Sequence, residues 1–379
     1  MTLALPAEAV VDLGAVRDNV RALKAAAPDA QLLAVVKADG YGHGMLPSAG
    51  AALAGGADWL GVAFLPEAMA LRAAGVTAPV LAWLIGPTEP VDAAVAAGVD
   101  LGVNARWAID VAVSAARQTG ATARLHLKVD TGLSRGGATA ADWPDLVAAA
   151  AKAQADGGVR VVGVWSHFAY ADAPGHPTVA GQLAAFHTAL QIAERAGVRP
   201  ELRHLANSAA TLTTPEAHFD LVRPGLAVYG ISPVPTVAGP ARLGLRPAMT
   251  LRSRVALAKE VPAGSGVSYG HRYTTSRRTR LALVPLGYAD GVPRNATNVG
   301  EVLLGGRRRR ISGTVCMDQF VVDVGDDEVA AGDDVVLFGP GDAGEPTAQD
   351  WAEATGTISY EIVTRIGSRV PRTYVGLPP

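Results

Sequence analysis

The sequence predicts an α/β chain in two parts, an N-terminal (β/α)8 TIM barrel followed by a C-terminal mostly β domain. Three observations carry this expectation. From residue 31 to about 229, short apolar runs alternate with longer Ala-rich stretches of helical spacing. That span holds eight such runs at roughly 25 residues each, the length of one strand, one helix and two short loops. From about residue 245 onward the helical stretches nearly vanish, and glycines separate short apolar runs instead. A doubly wound sheet of eight strands is the competing arrangement for the first part.

In chain order, the expected barrel strands are Gln31–Lys37, Trp59–Phe64, Pro79–Leu84, Val99–Val103, Arg124–Asp130, Arg160–Phe168, Leu202–Ala206 and Asp220–Tyr229. Strands of a parallel sheet are covered on both faces, so they read as unbroken apolar runs such as LLAVV. Between them, Pro66–Ala74, Ala105–Thr119, Ala141–Ala155 and Thr178–Ala196 have the apolar spacing of helices packed on a sheet. Ser232–Pro240, with three prolines and a glycine, reads as the linker. The expected division is 1–235 for the barrel and 236–379 for the β domain. In the second part, Arg252–Val261, Arg280–Leu286, Glu301–Leu304, Arg310–Val324 and Asp334–Phe338 read as strands, and Ala348–Thr355 as a helix.

Composition excludes several classes of function. Hydrophobic residues make up 49% of the 379 and charged residues 18%, too apolar for a disordered chain. A net charge of −2 gives no field to draw nucleic acid or an anionic membrane. The four-arginine run Arg307–Arg310 reads as a solvated strand or loop face, balanced by Asp326, Asp327 and Glu328. The single cysteine, Cys316, cannot form an internal disulfide and fits a reducing compartment. Two long uncharged stretches, 73–88 and 224–241, are broken by Pro and Gly, and the N-terminus has no basic region before its short apolar run. The expectation is a cytoplasmic protein with no membrane, nucleic-acid or metal partner, acting on a small molecule.

Barrel chemistry gathers at the C-terminal ends of the strands. There stand Lys37 with Asp39, Asn104, Lys128 with Asp130, Ser166 with His167, Asn207 with Ser208, and Arg223. A solvated barrel end would also be polar, but the lysines sharpen the reading. The chain has only five, and two of them directly follow the apolar runs LLAVV and LHL. An amine there loses hydration and its pKa falls, which makes a nucleophile. Beside Lys37, VVKADGYGHG places glycines around Tyr41 and His43, either a tight turn or a loop through which backbone approaches a ligand. Arg223-Pro224-Gly225-Leu226 falls in the eighth unit, where barrels often present N–H groups to a phosphate. Together these outline a phosphorylated ligand lying over Lys37.

VVKADGYGHG, KVDTGLSRGG, WSHFAYAD, HLANSAA, VRPGLAVYG, GVSYG, LGYADGVPR, CMDQF and SYEIVTRI stand in this order, and nearly the whole chain resembles the alanine racemase family. The resemblance implies pyridoxal 5′-phosphate as cofactor, alanine as substrate, D-alanine for peptidoglycan as product, and a homodimer with shared active sites. It implies that Lys37 carries the cofactor and serves as the base on the D-alanine face. Tyr269 of the partner subunit serves the L-alanine face, its phenol acidified by His167 and Arg223. Without the resemblance Tyr269 reads as an interface aromatic in a glycine turn. Arg223 faces the pyridine nitrogen, and the phosphate falls to Tyr41, Ser208, the backbone of Gly225 and Leu226, and Tyr360. His167 and Asn207 join this cofactor set, although Ser208 also reads as a helix N-cap. Arg135 and the backbone N–H of Met317 take the substrate carboxylate, Tyr288 and Tyr360 narrow the access channel, and Lys128 matches a position open to carbamylation. The remaining alternatives are a serine or broad-specificity racemase and an amino-acid decarboxylase of the same fold.

Overall fold

The structure is a computed structural model and describes residues 7–376. The first six residues of the N-terminal segment read for a signal peptide therefore lie outside the described residues. After β1 (Ala7–Asp12), eight parallel strands follow: β2 (Gln31–Val35), β3 (Trp59–Val62), β4 (Val80–Ala82), β5 (Val99–Val103), β6 (Ala123–Lys128), β7 (Val159–Trp165), β8 (Leu202–His204) and β9 (Leu221–Val222). They pair in the order β8-β7-β6-β5-β4-β3-β2-β9, every one parallel to its neighbour. Closure between β9 and β8 rests on Asp220 N–H donating to Arg203 O at 3.1 Å and Arg223 N–H donating to Ala206 O at 2.9 Å. The doubly wound alternative is thereby excluded, because its sheet stays open.

Each crossover carries helix that covers the barrel. Arg106–Thr119, for example, buries Ala108, Ile109, Ala112, Ala115 and Ala116 along one stripe and stops at Gly120 in the left-handed conformation. All eight expected strands are present, but the last is shorter than read. It ends at Val222, because Pro224 has no N–H to continue a ladder, and Leu226–Tyr229 turns as a 3-10 helix.

The C-terminal strands are β10 (Met249–Arg254), β11 (Leu257–Val261), β12 (Gly266–Val267), β13 (Tyr273–Thr274), β14 (Thr279–Val284), β15 (Glu301–Leu304), β16 (Arg307–Arg310), β17 (Phe320–Gly325), β18 (Asp334–Phe338) and β19 (Arg372–Val375). They form a six-stranded sheet, β16-β15-β18-β10-β1-β19, a three-stranded sheet, β11-β14-β17, and the small ribbon β12-β13. Two long strand expectations break here. Residues 252–261 divide between sheets, since Val255 N–H turns to Asp333 O while Ala256 N–H turns to Leu283 O. Residues 310–324 divide into β16 and β17, with Cys316 and Met317 in the loop between them. Strand β1 sits first in sequence yet pairs antiparallel with β10 and parallel with β19, so chain order and spatial grouping part at the N-terminus.

The four arginines form the edge strand β16, each beside a carboxylate: Arg307 and Arg309 with Asp327, Arg308 with Asp350, Arg310 with Glu301. Charge along an edge strand discourages further pairing. Among the described residues, no helix is long and apolar enough to cross a membrane.

Candidate functional site

At the C-terminal mouth of the barrel lies a cavity of about 720 Å³. Strand β2 delivers Lys37 to it through an unusual turn. Ala38, Asp39, Gly40 and Tyr41 all have φ between 51° and 61°, the left-handed region, which costs a non-glycine residue about 1–2 kcal/mol. Local hydrogen bonds offset this. Glu67 Oε1 accepts from Ala38 N–H at 2.7 Å, its Oε2 accepts from Ala63 and Phe64 N–H, and Asp39 Oδ1 accepts from Met45 N–H at 2.8 Å. Strain of this kind gathers at functional sites. Glu67→Ala leaves the Ala38, Ala63 and Phe64 N–H groups without their acceptor; water can replace it at the exposed ones, and we expect about 0.5–1.5 kcal/mol of stability to be lost. The denaturation midpoint of the ligand-free protein reads this; an unchanged midpoint would mean that the turn does not depend on Glu67.

Cations crowd the cavity. Burial, followed by the charge of Arg135, pushes the Lys37 amine below its ordinary pKa, with only Glu67 opposing. Lys128, at the end of β6, is pushed down to about 8 by burial and by Arg223 and Arg135. Its Nζ sits 4.6 Å from the centre of the Trp165 ring, and the Arg223 guanidinium lies over the same ring at 4.9 Å. Arg135 stands on a loop tied by Asp130, whose Oδ1 accepts from the N–H groups of Gly132, Leu133 and Ser134 at 2.9–3.1 Å. Burial lowers Arg223 to about 9, still protonated at neutral pH. A ligand rich in negative charge suits this setting.

The same cavity holds a cradle of neutral donors. Ser208 Oγ accepts from Gly225 N–H at 2.8 Å and from Ala227 N–H at 3.3 Å, which aims its own hydroxyl hydrogen elsewhere. Ser208 is therefore not the helix cap it resembled in the sequence; Asn207 is, accepting from Ala210 N–H at 3.1 Å. Gly225 is required by approach, since a Cβ there would collide with Tyr41 Oη. Burial raises Tyr41 well above the ordinary phenol value and Tyr360 to about 12, so both stay protonated as hydrogen-bond donors.

The cavity brings together Lys37, Tyr41, Lys128, Arg135, His167, Asn207, Ser208, Arg223, Gly225, Leu226 and Tyr360. It does not include Tyr269, Tyr288 or Met317. These stand on the C-terminal part, 75%, 42% and 53% exposed, with Tyr269 beside Cys316 in a separate shallow concavity. Of the two cations expected to act on Tyr269, His167 is held uncharged. Burial, then Arg223, Arg135, Lys128 and Lys37, keep its pKa well below the ordinary histidine value. Sequence reasoning missed Trp83 and Trp165 in the cavity wall, and Glu67 behind it. Nothing in their spacing distinguishes them from core aromatics or a helix-start glutamate.

Two family profiles match the chain, described as Alanine racemase, N-terminal domain, over residues 11–233, and Alanine racemase, C-terminal domain, over residues 248–374. The chain belongs to the alanine racemase family. Similarity extends end to end: an alanine racemase of Frankia casuarinae is 68% identical over 97% of this chain and 96% of the relative. One from Mycolicibacterium smegmatis is 52% identical over 97% and 95%. Among solved structures, the alanine racemase of Streptomyces lavendulae superposes with a TM-score of 0.98 at 58% identity, covering 99% of this chain and 98% of that one. The alanine racemase of Bacillus anthracis with bound L-Ala-P superposes at 0.89 with 37% identity, over 100% and 97%. Membership in this family makes the chain an amino-acid racemase, an isomerase, built on a TIM-like barrel with a separate, mostly β part.

Proposed function

We propose that this chain interconverts L- and D-alanine with pyridoxal 5′-phosphate, using two bases from two subunits of a homodimer. The observation that carries the reading is the single cavity in which a desolvated lysine, a buried arginine and a cradle of neutral donors converge. These donors fit the cofactor. Tyr41, Ser208, Tyr360 and the backbone of Gly225 and Leu226 would hold the phosphate, the Gly225 N–H turning to it from Ser208 Oγ, and the missing Cβ at residue 225 leaves room for the Tyr41 hydroxyl. Asn207 and His167 would flank the ring. Arg223 would face the ring nitrogen and, having no acceptor lone pair, leave that nitrogen unprotonated.

When bound, pyridoxal phosphate supplies an electron sink that acidifies the α C–H of an attached amino acid. Lys37 would anchor it covalently and then, with the amine free, remove or return the α-proton at Nζ on the D-alanine face; burial and Arg135 favour the unprotonated amine this requires. Tyr269 of the partner subunit would do the same at Oη on the L-alanine face. The uncharged His167, whose Nδ1 lies 3.4 Å from a terminal nitrogen of Arg223, would link the phenol to that arginine. Exposure of Tyr269, Tyr288 and Met317 away from their own cavity supports a site completed by a second copy. Arg135 and the Met317 N–H would grip the substrate carboxylate, while Tyr288 and Tyr360 would confine the side chain to a methyl group. Lys128, unprotonated more readily than an ordinary lysine and crowded by arginines, is placed to take up carbon dioxide with release of a proton. The resulting carbamate anion would brace Arg135.

We read the enzyme as cytoplasmic and as a supplier of D-alanine for peptidoglycan; the relatives' shared name, alanine racemase, supports the product. Incubation of the cofactor-loaded protein with L-alanine, followed by chiral chromatography, should drive the mixture toward equal amounts of both enantiomers. Absence of D-alanine, or faster conversion of serine, would overturn the substrate assignment, and carbon dioxide with an amine product would indicate a decarboxylase.

A further inference from the structure

Inside the barrel runs a line of polar side chains to which no step above gives a role. Asp100 on β5, His126 on β6 and His204 on β8 are each at most 1% exposed, although they sit in otherwise apolar strands. Arg124 Nε donates to Asp100 Oδ1 at 2.8 Å, and the other carboxylate oxygen lies 3.0 Å from His126 Nε2. His126 Nδ1 is 2.8 Å from His204 Nε2, and His204 Nδ1 is 3.1 Å from a terminal nitrogen of Arg223. Four hydrogen bonds thus connect the partly exposed Arg124 to the arginine at the cavity.

We propose that Asp100 positions Arg223 through His126 and His204, by fixing one tautomer on each imidazole. The chemistry of the groups dictates the direction. Guanidinium has no acceptor, so Arg223 must donate, and His204 Nδ1 must be bare. A neutral His204 then carries its hydrogen on Nε2 and donates to His126 Nδ1, which must also be bare. His126 in turn carries its hydrogen on Nε2 and donates to the ionised Asp100. Every donor points from arginine to carboxylate, and a reversed tautomer anywhere would set two hydrogens against each other. Burial would raise the Asp100 carboxyl, but its bonds with His126 and Arg124 outweigh that and hold it below its ordinary pKa; burial and Arg223 hold His204 well below the usual histidine value. The surroundings fit the same purpose. Trp165 stacks on His204 at 5.7 Å with an interplanar angle of 5°, and Trp59 meets His126 edge-on. Residue 163 is glycine where a Cβ would collide with His126 Nδ1 and come within 2.8 Å of His204 Nε2.

The effect on turnover rests on the reading of Arg223 given above, whereas the tautomers do not, so the two are tested apart. In holoenzyme labelled with 15N-histidine, long-range 1H–15N correlation at neutral pH should give the Nε2–H tautomer for both His126 and His204. An Nδ1–H tautomer or an imidazolium at either position overturns the proposal. Asp100→Asn keeps the shape but has one acceptor oxygen for two donors, and we expect kcat for alanine to fall about tenfold with KM changed less than about twofold. Gly163→Ala should reproduce that split with Asp100 intact, because it breaks the line at its middle. If folded Asp100→Asn and Gly163→Ala proteins both retain full kcat, or lose efficiency through KM alone, Asp100 does not position Arg223. Should Gly163→Ala fail to fold, the spectrum and the Asp100→Asn kinetics decide.

Discussion

Tyr269→Phe is expected to keep the cofactor and lose racemisation, with kcat falling on the order of 10²–10⁴-fold, the usual worth of a positioned general acid–base group. Only a hydroxyl is removed, from a side chain 75% exposed in the single chain, so the fold should be unaffected. The loss should also be one-sided. Lys37 still serves the D-alanine face, so exchange of the D-alanine α-proton with deuterium from solvent should persist while D-alanine formation from L-alanine stops. Full racemisation by this variant would remove the tyrosine from the reaction.

Lys37→Ala should lose both the covalent cofactor link and turnover, because no other described lysine occupies the same end of β2. Lys128, on β6, braces the opposite side against Trp165. Mixing the two inactive variants tests the sharing of sites. Random re-pairing of equal amounts should restore about a quarter of the wild-type activity, since half the dimers are mixed and each mixed dimer rebuilds one of its two sites. No recovery after exchange of subunits would place both bases in one chain.

The barrel was legible because strands covered on both faces carry unbroken apolar runs, and the polar residues ending those runs marked the cavity. Lys37 and Arg223 could be read in this way. The position of β1 could not, since the alternating pattern of Ala7–Asp12 says which face is buried and nothing about which sheet supplies the partner. Nor could the role of Glu67, whose carboxylate crosses from a helix start to a turn 29 residues earlier. Asp100 and His126 lie within runs read simply as apolar, and their meaning depends on strands β5, β6 and β8 placing them in line. The left-handed turn at Ala38–Tyr41 has no signature beyond its glycines, because part of what stabilises it, the Glu67 carboxylate, comes from outside the turn.

The assignment of Lys37 as the residue that holds the cofactor is tested most directly by borohydride reduction of the cofactor-loaded protein followed by peptide mapping. A pyridoxyl group on the peptide that contains Lys37 is the predicted result. Its absence there, or its presence on Lys128 instead, would contradict the account.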